Sequence, residues 1–226
     1  MFYKNIAAGK FISRPNRFIA NVEIDGEVQV VHVKNTGRCR ELLLPGSTVY
    51  CEKSDNPNRK TAYDLVAVEK GNLLINMDSQ APNAAFSEFI HDGSFKDGIE
   101  YIARERKYKN SRFDFYFKRK GKEYFAEVKG VTLEDEGVVL FPDAPTERGV
   151  KHLTELEDAV KNGYGGCVVF VVQLKEAKYF TPNRKTHPEF ADKLKEVQKA
   201  GVEIFAYTCN VTPNSISLLS QIPVVI

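Results

Sequence analysis

The run "CVVFVVQL", residues 167–174, constrains the fold more than any other stretch because it is apolar at nearly every position. A strand with one solvated face alternates apolar and polar side chains, whereas a continuously apolar strand has to be covered on both faces. The run therefore predicts a central strand that lies between two layers of structure.

Two segments with helical periodicity flank this strand and can supply the cover. The first has Thr146 as a favourable N-cap and ends at Gly163. Its apolar residues recur at helical spacing at Val150, Leu153, Leu156 and Val160. The second, "PEFADKLKEVQKAG", has Pro188 near its first turn. With the closing strands "VEIFAYTCNV" and "SISLLSQIPVVI", this alternation predicts a layered α/β domain over residues 83–226.

Residues 1–82 are expected to form a separate all-β domain, because short strands and turns alternate up to about Met77. Five stretches have strand composition: "FISRPNRFIANVEI", "VQVVHV", "STVYCEK", "TAYDLVAVE" and "NLLINM". The insert "RCRELLLPG" has a helix-like pattern and lies between the second and third of them. Five strands with one helix midway predict an OB-like barrel, and a generic small β-barrel is the alternative.

Composition indicates a globular protein without a membrane segment. Hydrophobic residues make up 42% of the 226 residues and charged residues 27%, which is typical of soluble domains. No run approaches the roughly 18 apolar residues of a membrane helix. The start, "MFYKNIAAGKF", lacks the long apolar core of a signal peptide. A cytoplasmic location is therefore expected.

The cysteines favour buried free thiols over a metal site. They are scattered singly, at Cys39, Cys51, Cys167 and Cys209. Because none forms a CxxC pair, the sequence does not indicate zinc. Each lies beside apolar residues, as buried thiols in a reducing compartment do.

Basic residues are concentrated locally, although the net charge is only +2. The stretch from Arg104 to Lys122 has nine Lys or Arg residues against two acids, Glu105 and Asp114. A cluster of this kind is either a solvated rim or a surface that follows phosphates.

Seven basic side chains are candidate nucleic-acid contacts: Arg14, Arg17, Arg38, Arg40, Arg112, Arg148 and Lys151. For the four on turns, the alternative is ordinary turn chemistry with solvated arginines. For Lys151 the alternative is a helix salt bridge with Glu147. His152 could serve as a general base, but a capped surface histidine is the favoured interpretation.

The stretch "SRFDFYFKRKGKEYFAEVKG", residues 111–130, predicts a hairpin that brings two acids together. With the turn at Lys120–Gly121, Asp114 lies opposite Glu127, about 4.5–5.5 Å apart at Cβ, where like charges are destabilising. Lys129 shares the face of Glu127. Three aromatic residues are expected on one core face, Phe113, Phe115 and Phe117. A surface salt bridge, or the solvated face of an edge strand, is the alternative.

A divalent cation between the two acids would remove the repulsion. Mg²⁺ takes oxygen ligands and is often held by one or two carboxylates together with phosphates and water. Asp114 and Glu127 are therefore candidate ligands, for Mg²⁺ or Mn²⁺. Lys129 is placed to orient water or to stabilise charge on a phosphate. Glu105, at the end of a predicted helix over residues 101–106, is a candidate third carboxylate.

The hairpin resembles the motif of the PD-(D/E)xK nuclease superfamily. Asp114 matches the first acid, and Glu127, Val128 and Lys129 match (D/E)xK. The Pro before the aspartate is absent, since Phe113 stands there, at a position that varies in the superfamily. Gln173, at the end of the apolar strand, fits the same context.

The whole chain is similar to the sugar fermentation stimulation protein family. The resemblance rests on several motifs in order: "RPNRFIA", "HVKNTGR", "ELLLPG", "NPNRKTAYDL", "SRFDF", "EVKGVTLE" and "FPDAPTERGVKHL". It implies an N-terminal OB-fold and a three-layer α/β, restriction-endonuclease-like second domain. It also implies DNA as partner and a role in regulating sugar (maltose) metabolism genes. Two functions follow, a metal-dependent nuclease or a non-cleaving DNA-binding regulator.

Overall fold

The N-terminal part of the chain forms a closed β-barrel. The computed structural model describes residues 1–35 and 37–226. In the described part of residues 1–80, six strands occur: β1 (Ile6–Asn16), β2 (Ile19–Ile24), β3 (Glu27–Val33), β4 (Thr48–Lys53), β5 (Tyr63–Lys70) and β6 (Leu73–Asn76). Their order is β3-β2-β1-β4-β5-β6, and β3 also pairs with β5. Strands β1 to β5 thus close on themselves, which confirms the OB-like barrel.

Two details of the barrel differ from the sequence-based expectation. The first expected strand is a hairpin, because β1 and β2 pair with Asn16 opposite Ile19. The insert before β4 is a turn and not a helix. The N–H groups of Leu42 and Leu43 both donate to the carbonyl of Cys39, at 3.3 and 3.0 Å. Cys39 has a φ of 45°, a left-handed conformation that a right-handed helix does not include.

The second part of the chain forms a layered α/β unit. From Ala81 onward, where every residue is described, there are three helices, α1 (Ala81–His91), α2 (Glu147–Lys161) and α3 (Pro188–Lys199). Nine strands accompany them: β7 (Ile99–Tyr108), β8 (Ser111–Arg119), β9 (Lys122–Val131), β10 (Leu133–Asp135), β11 (Val138–Phe141), β12 (Gly165–Val172), β13 (Tyr179–Pro182), β14 (Glu203–Thr212) and β15 (Ser215–Gln221).

The apolar run occupies the centre of the main sheet, as expected. That sheet has the order β15-β14-β12-β9-β8-β7, and β12 pairs in parallel with both of its neighbours. Every residue of β12 is buried. Helix α1 covers one face, where Phe86 packs edge-on against Phe115 of β8 with ring centroids 5.0 Å apart. Helices α2 and α3 pack on the other face, so the unit has three layers.

The termini of α2 and α3 follow the predicted signals. Thr146 caps α2, since its hydroxyl accepts from the N–H of Gly149 at 3.0 Å, and Pro188 begins α3. All four cysteines are buried and unpaired, which confirms the expectation of buried thiols. Within residues 1–35 and 37–226, no helix is long and apolar enough to cross a membrane.

The expected helix over residues 101–106 is wrong, because this segment belongs to strand β7. Arg and Glu residues favour helices in isolation, but pairing with β8 overrides this preference. The long basic side chains lie over aromatic rings of β8. The guanidinium of Arg104 is 5.6 Å from the ring centroid of Phe115, and that of Arg106 is 5.4 Å from the ring centroid of Tyr116. The result is a basic edge strand.

Candidate active site

The β8–β9 hairpin carries the candidate catalytic residues, and its turn has the predicted position. The turn residues Lys120–Gly121 have φ of 51° and 75°, the left-handed pair that a two-residue type I′ turn requires. The ladder between the strands ends at the pair Phe115–Ala126. The same register places Asp114 opposite Glu127, immediately beyond the last ladder pair.

At Asp114, side-chain hydrogen bonds take the place of the backbone hydrogen bonds between β8 and β9. Its Oδ2 accepts from the backbone N–H of Val128 at 2.8 Å, and its Oδ1 accepts from the side-chain amide of Asn83 at 3.1 Å. The carboxylate therefore bridges β9 and the first turn of α1. Both of its oxygens are fixed before any ligand arrives.

The alternation of side chains also changes at Asp114. Phe113 packs against the α2 side, with its ring centroid 6.2 Å from that of His152, whereas Phe115 and Phe117 belong to the cluster on the α1 side. The expectation of one shared face is therefore wrong for Phe113. Alternation applies to a regular strand, and the regular pairing of β8 with β9 ends at Phe115.

Glu127 is 3% exposed and leaves one oxygen without a partner. Its Oε1 accepts from Nζ of Lys129 at 2.5 Å and contacts Nδ1 of His152 at 2.5 Å. Its Oε2 is buried and has no hydrogen-bond partner among the described residues. A buried carboxylate oxygen without a partner is costly, and a cation ligated at Oε2 would remove that cost. The residues present thus fit a divalent metal.

The two carboxylates have opposite pKa shifts. Burial raises the pKa of Asp114, and the charge of Glu127 adds to this, against the N–H of Val128 and the charge of Lys129. Burial also acts to raise the pKa of Glu127, but the hydrogen bond from His152 and the charge of Lys129 outweigh it, and the net pKa is lowered. Glu127 is therefore held ionised, whereas ionised Asp114 would benefit from a nearby cation.

His152 is buried beside the site, so the interpretation as a surface histidine is wrong. It lies on α2, where its Nε2 accepts from Nε of Arg148 at 3.3 Å. Because an arginine side chain only donates, Nδ1 carries the imidazole hydrogen and donates to Glu127. Helical spacing could have revealed this role, since Gly149, His152, Leu153 and Leu156 are all buried on one face of α2.

Two further polar residues complete the surroundings of the site. Asn83 holds Asp114, and no sequence signal indicated it beyond its place near a helix start. For Gln173 the sequence indicates only a place at the end of the apolar strand, in the context of the nuclease motif. Its amide donates to the backbone carbonyl and the side-chain Oδ1 of Asn76, at 3.1 and 2.9 Å. It thereby ties the end of β12 to β6 of the barrel.

Replacing Gly130 by alanine is expected to disturb the site through Gln173 and through the first turn of α1, which carries Asn83. A Cβ at Gly130 would lie 2.5 Å from Oε1 of Gln173 and 2.7 Å from Cγ of Pro82. Such overpacking costs about 1–3 kcal/mol, and it pushes on the first turn of α1, which carries Asn83. Urea unfolding measures the loss. Gly71→Asn, in a turn with φ of +58° and open space, is the control and should change stability by less than 1 kcal/mol.

Glu105 is present near the site but points to solvent. It falls between the pairs Arg104–Phe115 and Arg106–Phe113 of the β7–β8 ladder. Its side chain is 64% exposed and accepts from Arg112 at 3.3 Å. Among the residues that the structure describes, no three His, Cys, Asp or Glu side chains converge as a metal cluster. A role for Glu105 as third ligand stays a prediction.

Arg14 shapes a loop of the barrel. Its terminal amino groups donate to four backbone carbonyls, those of Arg17, Asn35, Gly37 and Arg38, at 2.7–3.0 Å. These bonds take up its terminal N–H groups, whereas its Nε is buried without a partner among the described residues. A role for Arg14 as a nucleic-acid contact stays a prediction.

Arg14 bonds to two segments, the β1–β2 turn and the β3–β4 loop, which present three exposed arginines: Arg17 on the turn, and Arg38 and Arg40 on the loop. The guanidinium of Arg17 lies over the ring of Phe18 at 4.7 Å. The backbone N–H of Arg38 donates to Oδ2 of Asp143 at 2.9 Å, so the loop contacts the segment that leads into α2. Thr36, in the motif "NTGRCR", lies outside the described residues. The other predicted basic contacts, Arg112, Arg148 and Lys151, line one cleft with His152.

The barrel, the three-layer unit and the Asp, Glu-x-Lys arrangement define a two-part protein with a restriction-endonuclease-like second unit. Family comparison agrees with both parts. Residues 12–77 match the SfsA N-terminal OB domain, and residues 80–215 match the sugar fermentation stimulation protein RE domain. The chain therefore belongs to the sugar fermentation stimulation protein family.

Individual relatives are similar over the full length. The sugar fermentation stimulation protein homolog of Desulfitobacterium hafniense (strain DSM 10664 / DCB-2) is 58% identical, over 96% of this chain and 94% of the relative. The homolog of Clostridium beijerinckii is 55% identical, over 100% of both chains. The solved structure of Pyrococcus furiosus SfsA in complex with Ca²⁺ has a TM-score of 0.90 and 29% identity, covering 100% of this chain and 98% of that one.

Proposed function

We propose that this protein is a divalent-metal-dependent nuclease that binds DNA and hydrolyses phosphodiester bonds. The observation that carries the proposal is the buried, unpartnered Oε2 of Glu127, in a hairpin that also holds Asp114 and Lys129. A protein that only binds DNA gains little from two acids whose like charges repel each other in a buried site.

Each residue of the hairpin has a separate role in this proposal. Asp114 and Glu127 hold the metal, with remaining positions open to water and substrate oxygens. When bound, Mg²⁺ or Mn²⁺ activates water and polarises the phosphodiester. Lys129 is 16% exposed and is bonded to Glu127. Its ammonium therefore lies beside a metal ligand, where it can orient the water or stabilise charge on the phosphate. The Ca²⁺ complex of the Pyrococcus furiosus relative supports a divalent cation.

DNA is the expected partner on grounds of family and charge. The exposed arginines Arg38 and Arg40 lie on the β3–β4 loop, which contacts the segment before α2, and Arg17 lies on the β1–β2 turn that Arg14 also contacts. OB-folds bind nucleic acid through basic and aromatic side chains, and Arg17 with Phe18 offers such a pair. The barrel would hold the DNA strand that the second unit cuts.

A cleavage assay tests the proposal. Single- and double-stranded DNA and RNA are incubated with the protein in Mg²⁺, in Mn²⁺ and in chelator. Cleavage of DNA is expected only with metal. Asp114→Ala, purified in parallel, should bind DNA but not cut it, which excludes a contaminating nuclease. If wild type binds DNA without cutting it under any of these conditions, the protein is a regulator that uses the fold for binding alone.

A further inference from the structure

A cleft of about 520 Å³ lies beside the candidate active site. Ser111, Arg112, Arg148, Lys151 and His152 line it, together with Glu147. His152 is shared between the two sites, because its Nδ1 contacts Oε1 of Glu127 at 2.5 Å. The cleft and the site of Glu127 therefore adjoin at the His152 ring.

Ser111 gives the cleft an unmet hydrogen-bond donor. It is the first residue of β8 and is 6% exposed. Its Oγ is buried and has no hydrogen-bond partner within the described residues. Buried hydroxyls normally have a partner. A ligand oxygen in the cleft would accept the hydrogen bond that Ser111 cannot make to the protein.

The cations of the cleft are not fully used by the protein. Lys151 is 53% exposed, and its Nζ makes long contacts only, to the carbonyl of Asn110 at 3.3 Å and to Glu155 at 4.0 Å. Arg148 donates from Nε to His152, and its terminal amino groups have no partner among the residues described. Arg112 is 65% exposed and meets Glu105 at 3.3 Å.

The charge and the donors fit an oxyanion. Three cations, from Arg112, Arg148 and Lys151, stand against one carboxylate in the lining, that of Glu147. Arginine forks and lysine ammonium groups are the usual partners of phosphate oxygens. The hydroxyl of Ser111 adds a neutral donor, as is common in contacts to the nucleic-acid backbone.

We infer that this cleft binds a backbone phosphate of the nucleic-acid strand, next to the phosphodiester bond that is hydrolysed. The inference rests on the proposed function and adds a binding position to it. Ser111 donates a hydrogen bond to the phosphate, and Arg112, Arg148 and Lys151 neutralise it. His152 separates this phosphate from the metal ligands.

The test measures DNA binding in chelator, where cleavage cannot interfere. The dissociation constant of a fluorescent oligonucleotide is followed by anisotropy over a series of salt concentrations. The double variant Arg112→Gln/Lys151→Gln should reduce the slope of log Kd against log salt by about 0.7–0.9, because both side chains neutralise the same phosphate and each neutralised phosphate contributes about that much. Lys161→Gln/Lys195→Gln removes the same charge from exposed positions of α2 and α3 and should leave the slope unchanged.

A second variant tests the hydroxyl without changing charge. Ser111→Ala should weaken DNA binding about three- to tenfold at constant slope, as the loss of one hydrogen bond does. Unchanged affinity in Ser111→Ala, an equal slope change in the control pair, or no DNA binding by wild type would each overturn the inference. Cleavage with Mn²⁺, measured in parallel, tests the nuclease proposal separately. A protein that binds but does not cut can still show the altered slope.

Discussion

Lys129→Gln is expected to lower the rate of DNA cleavage about 10²–10³-fold while DNA binding in chelator stays unchanged. A donor aimed at developing charge in a dry site contributes this much to kcat. Lys129 lies in such a dry site, since its side chain is 16% exposed and its Nζ is 2.5 Å from Oε1 of Glu127. Glutamine keeps a donor for Glu127 but removes the positive charge.

The choice of glutamine separates catalysis from stability. Removing one partner of a buried ion pair can cost several kcal/mol, and an alanine at position 129 would leave the buried Glu127 short of a donor. Single-turnover cleavage with Mn²⁺ measures the rate, and the unfolding midpoint checks the fold. Lys122→Gln, at the exposed start of the same strand, is the matched control and should cut at the wild-type rate. Equal rates for wild type and Lys129→Gln would show that the ammonium has no part in the reaction.

The sequence predicts the fold well where one physical requirement dominates. The apolar run of β12 permits only a doubly covered strand, and this strand is the centre of the sheet. The turn at Lys120–Gly121 permits few hairpin geometries, so the register that brings Asp114 next to Glu127 could be predicted. In both cases a local pattern leaves few alternatives.

The sequence predicts local conformation and side-chain position less well where tertiary contacts determine them. The segment 101–106 has helical composition, but pairing with β8 makes it a strand. Phe113 leaves the face of its neighbours because Asp114 bonds to β9 through its side chain. Asn83 is distant in sequence from both acids. Its role depends on where α1 docks, and no local pattern encodes that position.

Asp114→Asn is expected to stabilise the metal-free protein and to abolish its stabilisation by metal. Burial and the charge of Glu127 raise the pKa of Asp114, so the folded state binds this proton more tightly than the unfolded state. Stability therefore falls as pH rises from the unfolded pKa through the folded pKa, and ionised Asp114 is destabilising at neutral pH. Asparagine removes that charge.

The surroundings of Asp114 can accommodate the side-chain amide of an asparagine. The N–H of Val128 can still donate to the remaining oxygen, and the Oδ1 of Asn83, buried without a partner among the described residues, can accept from the new amide after a flip of its own side chain. In chelator at pH 7, Asp114→Asn should gain about 1 kcal/mol, a rise in Tm of about 2–4 °C. Glu127→Gln should show the opposite sign, because its carboxylate has a lowered pKa and is stabilised in the folded state by His152 and Lys129.

Stabilisation by metal is expected to differ between wild type and Asp114→Asn. At a Mn²⁺ concentration 100-fold above Kd, wild type should gain about 2.7 kcal/mol, whereas Asp114→Asn should gain almost nothing because one of its two carboxylate ligands is lost. Thermal unfolding in chelator and in increasing Mn²⁺ measures both effects in one experiment. The assignment of Asp114 as a ligand fails if the variant and wild type respond equally to metal. The raised pKa of Asp114 would then follow from burial and from the charge of Glu127, with no cation that depends on the charge of Asp114.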